Sequence, residues 1–255
     1  STLCVELDQF FSWLDCKETS PTKSALVQAR QKLLPRFFKD MFELSVSLFY
    51  QCFKVKRWKG FRLWASDGTG LRLPEQECLG VEFGRAFNQH AAVVSTRLLA
   101  CYDLLNQLIT TVTFHTNQVS EVVVAMRSIA QLPSDVLMVY DRGFASHIIP
   151  FLHTHFGSEC IIRLPLGFNA STKRFVNSGL KEQIITEKLT KTARKSLQEL
   201  GLEHLAQTHI TYRLIRVSLP DGQIEVLLTT LLDQKRFKQA YFAELYRKRW
   251  GIESC

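Results

Sequence analysis

A continuous apolar run, Val136–Tyr140, is the feature that most restricts how this chain can fold. An uninterrupted run of this length is expected of a strand that is covered on both faces, because a half-exposed strand would alternate apolar and polar residues. Helices should therefore pack against a sheet that contains this strand. The run stops at Asp141, so a carboxylate directly follows a buried strand.

The segments before this run predict antiparallel strands. Residues 61–66 form a short apolar-rich strand that ends at Asp67, where two glycines permit a tight turn. Two β-rich runs, 91–105 and 107–114, then pair as an antiparallel hairpin. This region therefore begins with three antiparallel strands.

Helices and strands alternate after the hairpin. A helix over 120–131 precedes the apolar run, and a helix over 146–155 and a strand over 160–164 follow it. Three antiparallel strands, a helix, and then strand, helix, strand is the order found in ribonuclease H-like folds. The predicted fold class is α/β, with a ribonuclease H-like mixed-sheet core, a helical N-terminal unit and a β-rich insertion.

Changes of pattern divide the chain into four segments. Apolar residues at helical spacing predict a helical start, which is interpreted as core packing, with a DNA-reading helix-turn-helix as the alternative. A basic stretch and a β-hairpin mark the third segment. The predicted segments are the helical unit (1–56), the first part of the core (57–164), the basic β-rich insertion (165–232) and a final core helix (233–255).

Composition restricts the partners and the compartment. The 255 residues carry a formal net charge of +8, which favours a polyanionic partner, because bound Lys and Arg release counterions from phosphates. The seven cysteines are scattered and never spaced as C-x-x-C, so they indicate a reducing cytoplasm rather than a zinc site or a disulfide framework. No apolar run approaches the roughly 20 residues of a membrane helix, so no membrane partner is expected.

Two acids stand where predicted strands end. Phosphoryl transfer with two divalent ions needs carboxylates on several rigid elements around one point. If the strands before Asp67 and Asp141 are parallel neighbours, both carboxylates emerge at the same edge of the sheet. Taken singly, each residue has a simpler explanation, a turn aspartate for Asp67 and a helix or turn cap for Asp141.

A third acid lies near the end of the sequence. Tyr246, Arg249 and Glu253 are spaced at i, i+3 and i+7, so they share one face of a helix. An acid for metal and an arginine fork for phosphate oxygens make this face chemically coherent. The alternative is an exposed amphipathic helix with an ordinary i, i+4 pair between Arg249 and Glu253.

Three strings of this sequence carry a family resemblance: Ser66 to Pro74, Tyr140 to Phe144, and Tyr246-x-x-Arg249-x-x-x-Glu253. They resemble, in order and separation, the catalytic blocks of DDE transposases from bacterial insertion sequences. The resemblance is to the insertion-sequence-four-type group, which is marked by a Tyr-Arg-Glu-Lys signature. Similarity also runs through 24–30, 102–106 and 228–233, so it covers most of the chain.

The resemblance implies a function and a set of roles. Asp67, Asp141 and Glu253 would bind two Mg²⁺ ions, with Mn²⁺ as a substitute, for DNA strand cleavage and strand transfer in cut-and-paste transposition. It implies double-stranded DNA with terminal inverted repeats as the partner, a homodimer on that DNA, and a bacterial cytoplasmic, nucleoid-associated location. The residues expected to contact DNA are Tyr246, Arg249, Arg142, Lys173, Arg174, Lys191 and Arg194.

One departure from the signature leaves alternatives open. The signature lysine should follow Glu253 by seven residues, and the sequence stops at Cys255, so a C-terminally truncated transposase is expected. A catalytically inactive remnant that only binds DNA is the first alternative. A basic α/β RNA-binding protein, in which the acids do not converge, is the second. His153 and His155 are interpreted as satisfied or surface histidines and not as metal ligands.

Overall fold

The computed structural model describes residues 2–14, 21–87, 91–205, 208–219 and 222–253. Its contacts divide the chain into two units, Ser1–Phe53 and Lys54–Cys255. The first unit is helical, as its apolar spacing predicted, and Pro35 occupies the first turn of a helix, where a missing N–H costs no hydrogen bond. Its helices are α1 (Thr2–Trp13), α2 (Lys23–Gln31) and α3 (Pro35–Cys52).

The second unit is built around a mixed β-sheet. Its strands are β1 (Arg62–Arg72), β2 (Arg85–Phe87), β3 (Ala92–Asp103), β4 (Leu108–Thr116), β5 (Val136–Tyr140), β6 (Glu159–Leu164), β7 (Glu182–Lys188), β8 (His209–Ser218) and β9 (Ile224–Thr229). Its α-helices are α4 (Glu77–Phe83), α5 (Glu121–Ser128), α6 (Ile148–Phe156), α7 (Ala170–Ser178), α8 (Lys191–Glu199) and α9 (Tyr241–Arg247). Single 3-10 turns cover Ile129–Gln131, Arg142–Phe144, Glu203–Leu205 and Lys248–Ile252.

The strand order confirms the predicted fold class. In the described part of the chain the sheet has nine strands in the order β2-β3-β1-β5-β6-β9-β8-β7, and β4 also pairs with β3. β1, β3 and β4 are antiparallel neighbours, whereas β1, β5 and β6 are parallel. Three antiparallel strands followed by α5, β5, α6 and β6 is the predicted ribonuclease H-like order.

The apolar run that predicted a doubly covered strand is buried as expected. All five residues of β5 are at most 1% exposed. On one face Leu137 and Val139 pack in a cluster with residues of α9, among them Phe242. On the other face Tyr140 contacts the ring of Phe144 and that of His153 in α6. Helices therefore cover both faces of the sheet at the strand that Asp141 follows.

The predicted end of β1 is wrong. The strand does not stop at Ser66 with a tight turn, but continues through Asp67 and both glycines to Arg72. The reason is a partner that lies far away in sequence: β3 runs antiparallel to β1 as far as the pair Arg72 and Ser95. The backbone groups of the glycine-containing segment are hydrogen-bonded in this ladder, so no turn is needed to satisfy them.

The segment predicted as a β-rich insertion, 165–232, extends the same sheet. β9 pairs antiparallel with β6, and β8 and β7 follow outward. The predicted hairpin between 208–219 and 223–231 is present as β8 and β9, and residues 220–221 of its connection lie outside the described residues. The segment also contains α7 and α8, where the basic stretch had no strand signal. Its status as a separate domain stays a prediction.

None of the described helices is long and apolar enough to cross a membrane.

Candidate active site

Asp67 and Asp141 stand at equivalent positions on neighbouring strands. β1 and β5 are parallel, and the last paired residues are Ala65 and Val139. Each aspartate lies two residues beyond this pair (67 − 65 and 141 − 139). Asp67 therefore lies within β1 rather than at its end, but both acids still reach the same edge of the β1–β5 pair. The condition for a shared edge, that the two strands are parallel neighbours, is met, whereas the predicted end of β1 is wrong.

The third element packs against these strands. α9 passes into the 3-10 turn Lys248–Ile252, and Ile252 packs in a small cluster with Ala65 of β1. Tyr246 is 4% and Arg249 3% exposed, so both face inward. The alternative of an exposed amphipathic helix is wrong for these two residues. The ordinary i, i+4 pair that it predicted is nevertheless present, because Arg249 Nη2 donates to Glu253 Oε1 at 2.7 Å.

Tyr246 and Arg163 link the third element and the sheet to Asp141. The Tyr246 hydroxyl donates to Asp141 Oδ1 over 3.4 Å. Arg163 of β6 lies 3.0 Å from the same oxygen through Nη2. Its Nη1 donates to Glu225 Oε1 of β9 at 2.8 Å. The cluster thus contains four acids, Asp67, Asp141, Glu225 and Glu253, and two buried or half-buried arginines.

Arg163 and Glu225 were not predicted as site residues from the sequence. Each is a lone charge among apolar residues, in the run Cys160 to Leu164 and in the run Ile224 to Leu228. A lone charge in a strand beside the one that ends at Asp141 was the available signal, because buried charges need a partner. Which acid pairs with Arg163 depends on the β6–β9 contact, which no local pattern of the sequence reveals.

The surroundings of Asp67 and Asp141 shift the pKa values of the two carboxyls in opposite directions. Burial raises the pKa of Asp67, the Gly68 backbone N–H and Arg249 oppose that rise, and the charges of Glu253 and Asp141 add to it. For Asp141, burial alone would raise the pKa, but the Arg142 backbone and the charges of Arg163 and Arg249 outweigh it, so its pKa is lowered. The charges of the other two predicted acids, Asp141 and Glu253, therefore both act on Asp67.

Tyr246 stays protonated in this environment. Burial raises its pKa far above the ordinary value for tyrosine, more than the charges of Arg163 and Arg249 lower it. A neutral phenol can donate its hydrogen to an acid but adds no charge. Tyr246 is thus suited to orient Asp141 or a phosphate oxygen, and not to act as a base.

A glycine beside Asp67 leaves room for another acid. A Cβ at Gly68 would lie 2.5 Å from Cδ of Glu121, the first residue of α5. Arg97 of β3 holds this carboxylate through Nη1 at 3.1 Å. A side chain at position 68 would therefore require the carboxylate of Glu121 to move.

The donor set suits a hard divalent cation, which prefers carboxylate oxygens. The convergence of like charges on Asp67 also favours binding a cation. In this conformation, however, Arg163 neutralises Asp141 and Arg249 neutralises Glu253. Among the described residues, no three His, Cys, Asp or Glu side chains lie close enough together to hold a metal ion. The chemistry of the donors therefore fits a metal, and the side chains would have to rearrange to surround one.

The remaining residues predicted to bind DNA also lie in the second unit, one beside Asp141 and four on α7 and α8. Arg142 is exposed in the turn that follows Asp141. Two cations lie on α7 and two on α8, and in the described part of the chain no ion pair joins them to the three predicted acids. The four are Lys173, Arg174, Lys191 and Arg194.

Residues 58–255 match the family model described as Transposase DDE domain. The chain belongs to the DDE transposase family. This confirms the resemblance that the three sequence strings carried, and DDE transposase domains generally use divalent metal ions.

One sequence relative and one solved structure are similar to this DDE transposase chain. It is 27% identical over 232 residues to "Transposase InsG for insertion sequence element IS4" of Escherichia coli (strain K12), a match that covers 90% of this chain and 51% of that protein. The chain thus spans about half the length of this relative. A cryo-EM structure of the piggyBac transposase synaptic complex with hairpin DNA gives a TM-score of 0.45 at 9% identity, covering 92% of this chain and 47% of that one.

Proposed function

We propose that this chain catalyses metal-dependent DNA strand cleavage and strand transfer at the ends of an insertion sequence. The observation that carries the proposal is the equivalent placement of Asp67 and Asp141 on adjacent parallel strands, with the Glu253 element packed against β1. Acids on three rigid elements at one sheet edge are what two-metal phosphoryl transfer requires.

Asp67, Asp141 and Glu253 would hold two Mg²⁺ ions, or Mn²⁺ in their place. When bound, such ions lower the pKa of an attacking water or 3′-hydroxyl and stabilise the leaving oxygen. The chain's own residues supply the surroundings. The buried Arg249 offers a planar fork to phosphate oxygens, and the neutral Tyr246 offers a hydrogen-bond donor beside Asp141.

The proposed partner is double-stranded DNA that carries terminal inverted repeats, bound by a homodimer in the bacterial cytoplasm near the nucleoid. The formal charge of +8 supports a polyanionic partner. Exposed cations on α7 and α8, such as Lys173 and Lys191, would contact backbone phosphates without reading sequence.

A DNA-binding remnant without catalysis is the second candidate. The observation that favours it is the pairing of Asp141 with Arg163 and of Glu253 with Arg249, which satisfies two of the acids without any metal. Binding of phosphates by exposed lysines needs none of the three acids.

A nicking assay separates the two candidates. The chain is incubated with DNA that carries the terminal repeats of its own element, with Mg²⁺, Mn²⁺ or EDTA. We expect cutting that requires the metal, and Asp141→Asn should lower its rate at least about a hundredfold, because a metal-bound carboxylate contributes several kcal/mol to the transition state.

Two results would count against catalysis at these acids. Cutting that survives Asp141→Asn would contradict the assignment of the site. Binding of the repeat DNA without any cutting by the unaltered chain would favour the remnant. Glu203→Gln, which removes one exposed acid from the turn Glu203–Leu205, is the matched control and should cut at the unaltered rate.

A further inference from the structure

One arginine is shared between two acids at the proposed active site. Arg163 places Nη2 3.0 Å from Asp141 Oδ1 and Nη1 2.8 Å from Glu225 Oε1. Its Nε is buried and has no hydrogen-bond partner among the described residues. The guanidinium of Arg163 therefore contacts each carboxylate through one terminal nitrogen and forms a bidentate pair with neither acid.

This split arrangement is set by the sheet. Arg163 of β6 stands opposite Leu227 of β9, and Glu225 lies two residues along β9 on the same face. Diagonal neighbours of this kind are within reach of long side chains. Both residues lie on paired strands, and both side chains are about three-quarters buried. The sheet therefore fixes the position of Glu225 relative to Arg163.

We propose that Glu225 is a positioning residue that holds Arg163 away from full pairing with Asp141, so that Asp141 stays available to a divalent cation. The inference rests on the proposed function, since it assumes that Asp141 binds the metal. Glu225 itself does not bind the ion in this account. It acts through Arg163.

Without the carboxylate of Glu225, Arg163 would pair fully with Asp141. An arginine forms its most favourable carboxylate contact as a two-pronged pair. If the carboxylate of Glu225 is replaced by an amide, the largely buried guanidinium of Arg163 loses one charged partner. Asp141 is then the remaining acid with which it forms an ion pair. A guanidinium that engages both oxygens of Asp141 competes directly with a cation for them.

Calorimetric titration of Mn²⁺ into the full chain, without DNA, tests the proposal through binding alone. Four proteins are compared: the unaltered chain, Glu225→Gln, Arg163→Gln and the double variant. We expect Glu225→Gln to raise the Kd for Mn²⁺ about tenfold, the lower end of what loss of an outer partner costs. In the Arg163→Gln background the same substitution should change Kd by less than about twofold, because the competitor is already gone.

The double variant of Glu225→Gln and Arg163→Gln tests whether the weaker Mn²⁺ binding comes only from the lost negative charge of Glu225. Removing any nearby negative charge weakens cation binding through space, but that loss would be equal with and without Arg163. An equal loss in both backgrounds, or no change for Glu225→Gln, would overturn the proposal. Glu203→Gln is the matched control for loss of one negative charge outside the site and should leave Kd unchanged.

Failure of the proposed function would look different. Asp141→Asn should abolish most Mn²⁺ binding; if the unaltered chain binds no Mn²⁺, or binds it equally after Asp141→Asn, both the metal site and the role of Glu225 are wrong. Circular dichroism and urea unfolding establish that each variant folds. If Glu225→Gln does not fold, Glu225→Asp replaces it. This substitution keeps the charge but shortens the side chain by one methylene. The Kd for Mn²⁺ should still rise only when Arg163 is present.

Discussion

His153 is a fully buried histidine whose two ring nitrogens both have partners. Tyr140 Oη lies 3.0 Å from Nε2 and Ser158 Oγ lies 2.7 Å from Nδ1. Burial lowers the pKa of His153 to about 3. Its interpretation as a satisfied core histidine, not a metal ligand, agrees with these contacts. The lowered pKa of His153 also makes the stability of the fold depend on pH.

The neutral form of His153 is the one that the fold favours, so its folded pKa lies below the unfolded value of about 6.5. Its contribution to stability is complete above pH 6.5 and is lost as pH falls towards 3. Between these values the free energy of unfolding should fall by up to about 1.4 kcal/mol per pH unit because of this group. Urea unfolding at pH 7, 6, 5 and 4.5 measures the change.

His153→Gln removes the titrating ring and should lose this part of the slope, so its stability deficit relative to the unaltered chain shrinks as pH falls. His155→Gln, on the exposed side of the same helix, is the matched control and should keep the slope. A deficit for His153→Gln that is constant from pH 7 to 4.5 would contradict the buried neutral histidine.

At the scale of residues, the sequence predicted those site members that carry their own signal. Asp141 follows an apolar run, and Tyr246, Arg249 and Glu253 share a helical spacing, so local patterns identify them. Arg163 and Glu225 have no such pattern. Their significance comes from an ion pair between two strands 62 residues apart in sequence, and tertiary pairing of this kind is not encoded in any single segment.

At the scale of elements, local periodicity predicted β5, α5, α6 and β6 because each is decided by its own apolar residues. β1 was predicted too short, since its second half contains two glycines and is held by β3 rather than by its own propensity. The place of β7, β8 and β9 in the main sheet was missed for the same reason: the β6–β9 pairing joins distant segments.

The helices α7 and α8 provide a test of where DNA contacts the chain. Lys173 and Lys191 are exposed on them, and Asn169 and Thr190 cap their N-terminal ends. If both lysines contact phosphates, the double variant Lys173→Gln and Lys191→Gln should weaken binding to any duplex DNA. The slope of log K against log salt should become shallower by roughly two, since each lost contact removes about 0.9.

Fluorescence anisotropy with one duplex at several salt concentrations measures this slope. Lys235 and Lys238 are also exposed, beside Arg236, which bonds the Lys59 carbonyl before the start of β1. The double variant Lys235→Gln and Lys238→Gln therefore removes the same amount of charge as the α7 and α8 double variant. It does so at the opposite end of β1 from the acids. An equal change of slope in both pairs would show that α7 and α8 have no special role.

At the scale of the whole molecule, the residues of the proposed site are distant in sequence and are assembled by one sheet. β1 carries Asp67, Asp141 directly follows β5, and β6 and β9 carry Arg163 and Glu225. Glu253 follows the 3-10 turn that packs on β1. All lie within the second unit. Residues 58–255, which match the Transposase DDE domain model, also lie within this unit.

The central claim is that Asp67, Asp141 and Glu253 form one divalent metal site, and anomalous diffraction from crystals grown with Mn²⁺ tests it most directly. The account predicts an anomalous peak bonded to carboxylate oxygens of both Asp67 and Asp141, with Glu253 within reach of it and Arg163 still paired with Glu225. Mn²⁺ bound only at other acids or histidines, or acids that keep their arginine partners at saturating Mn²⁺, would contradict it.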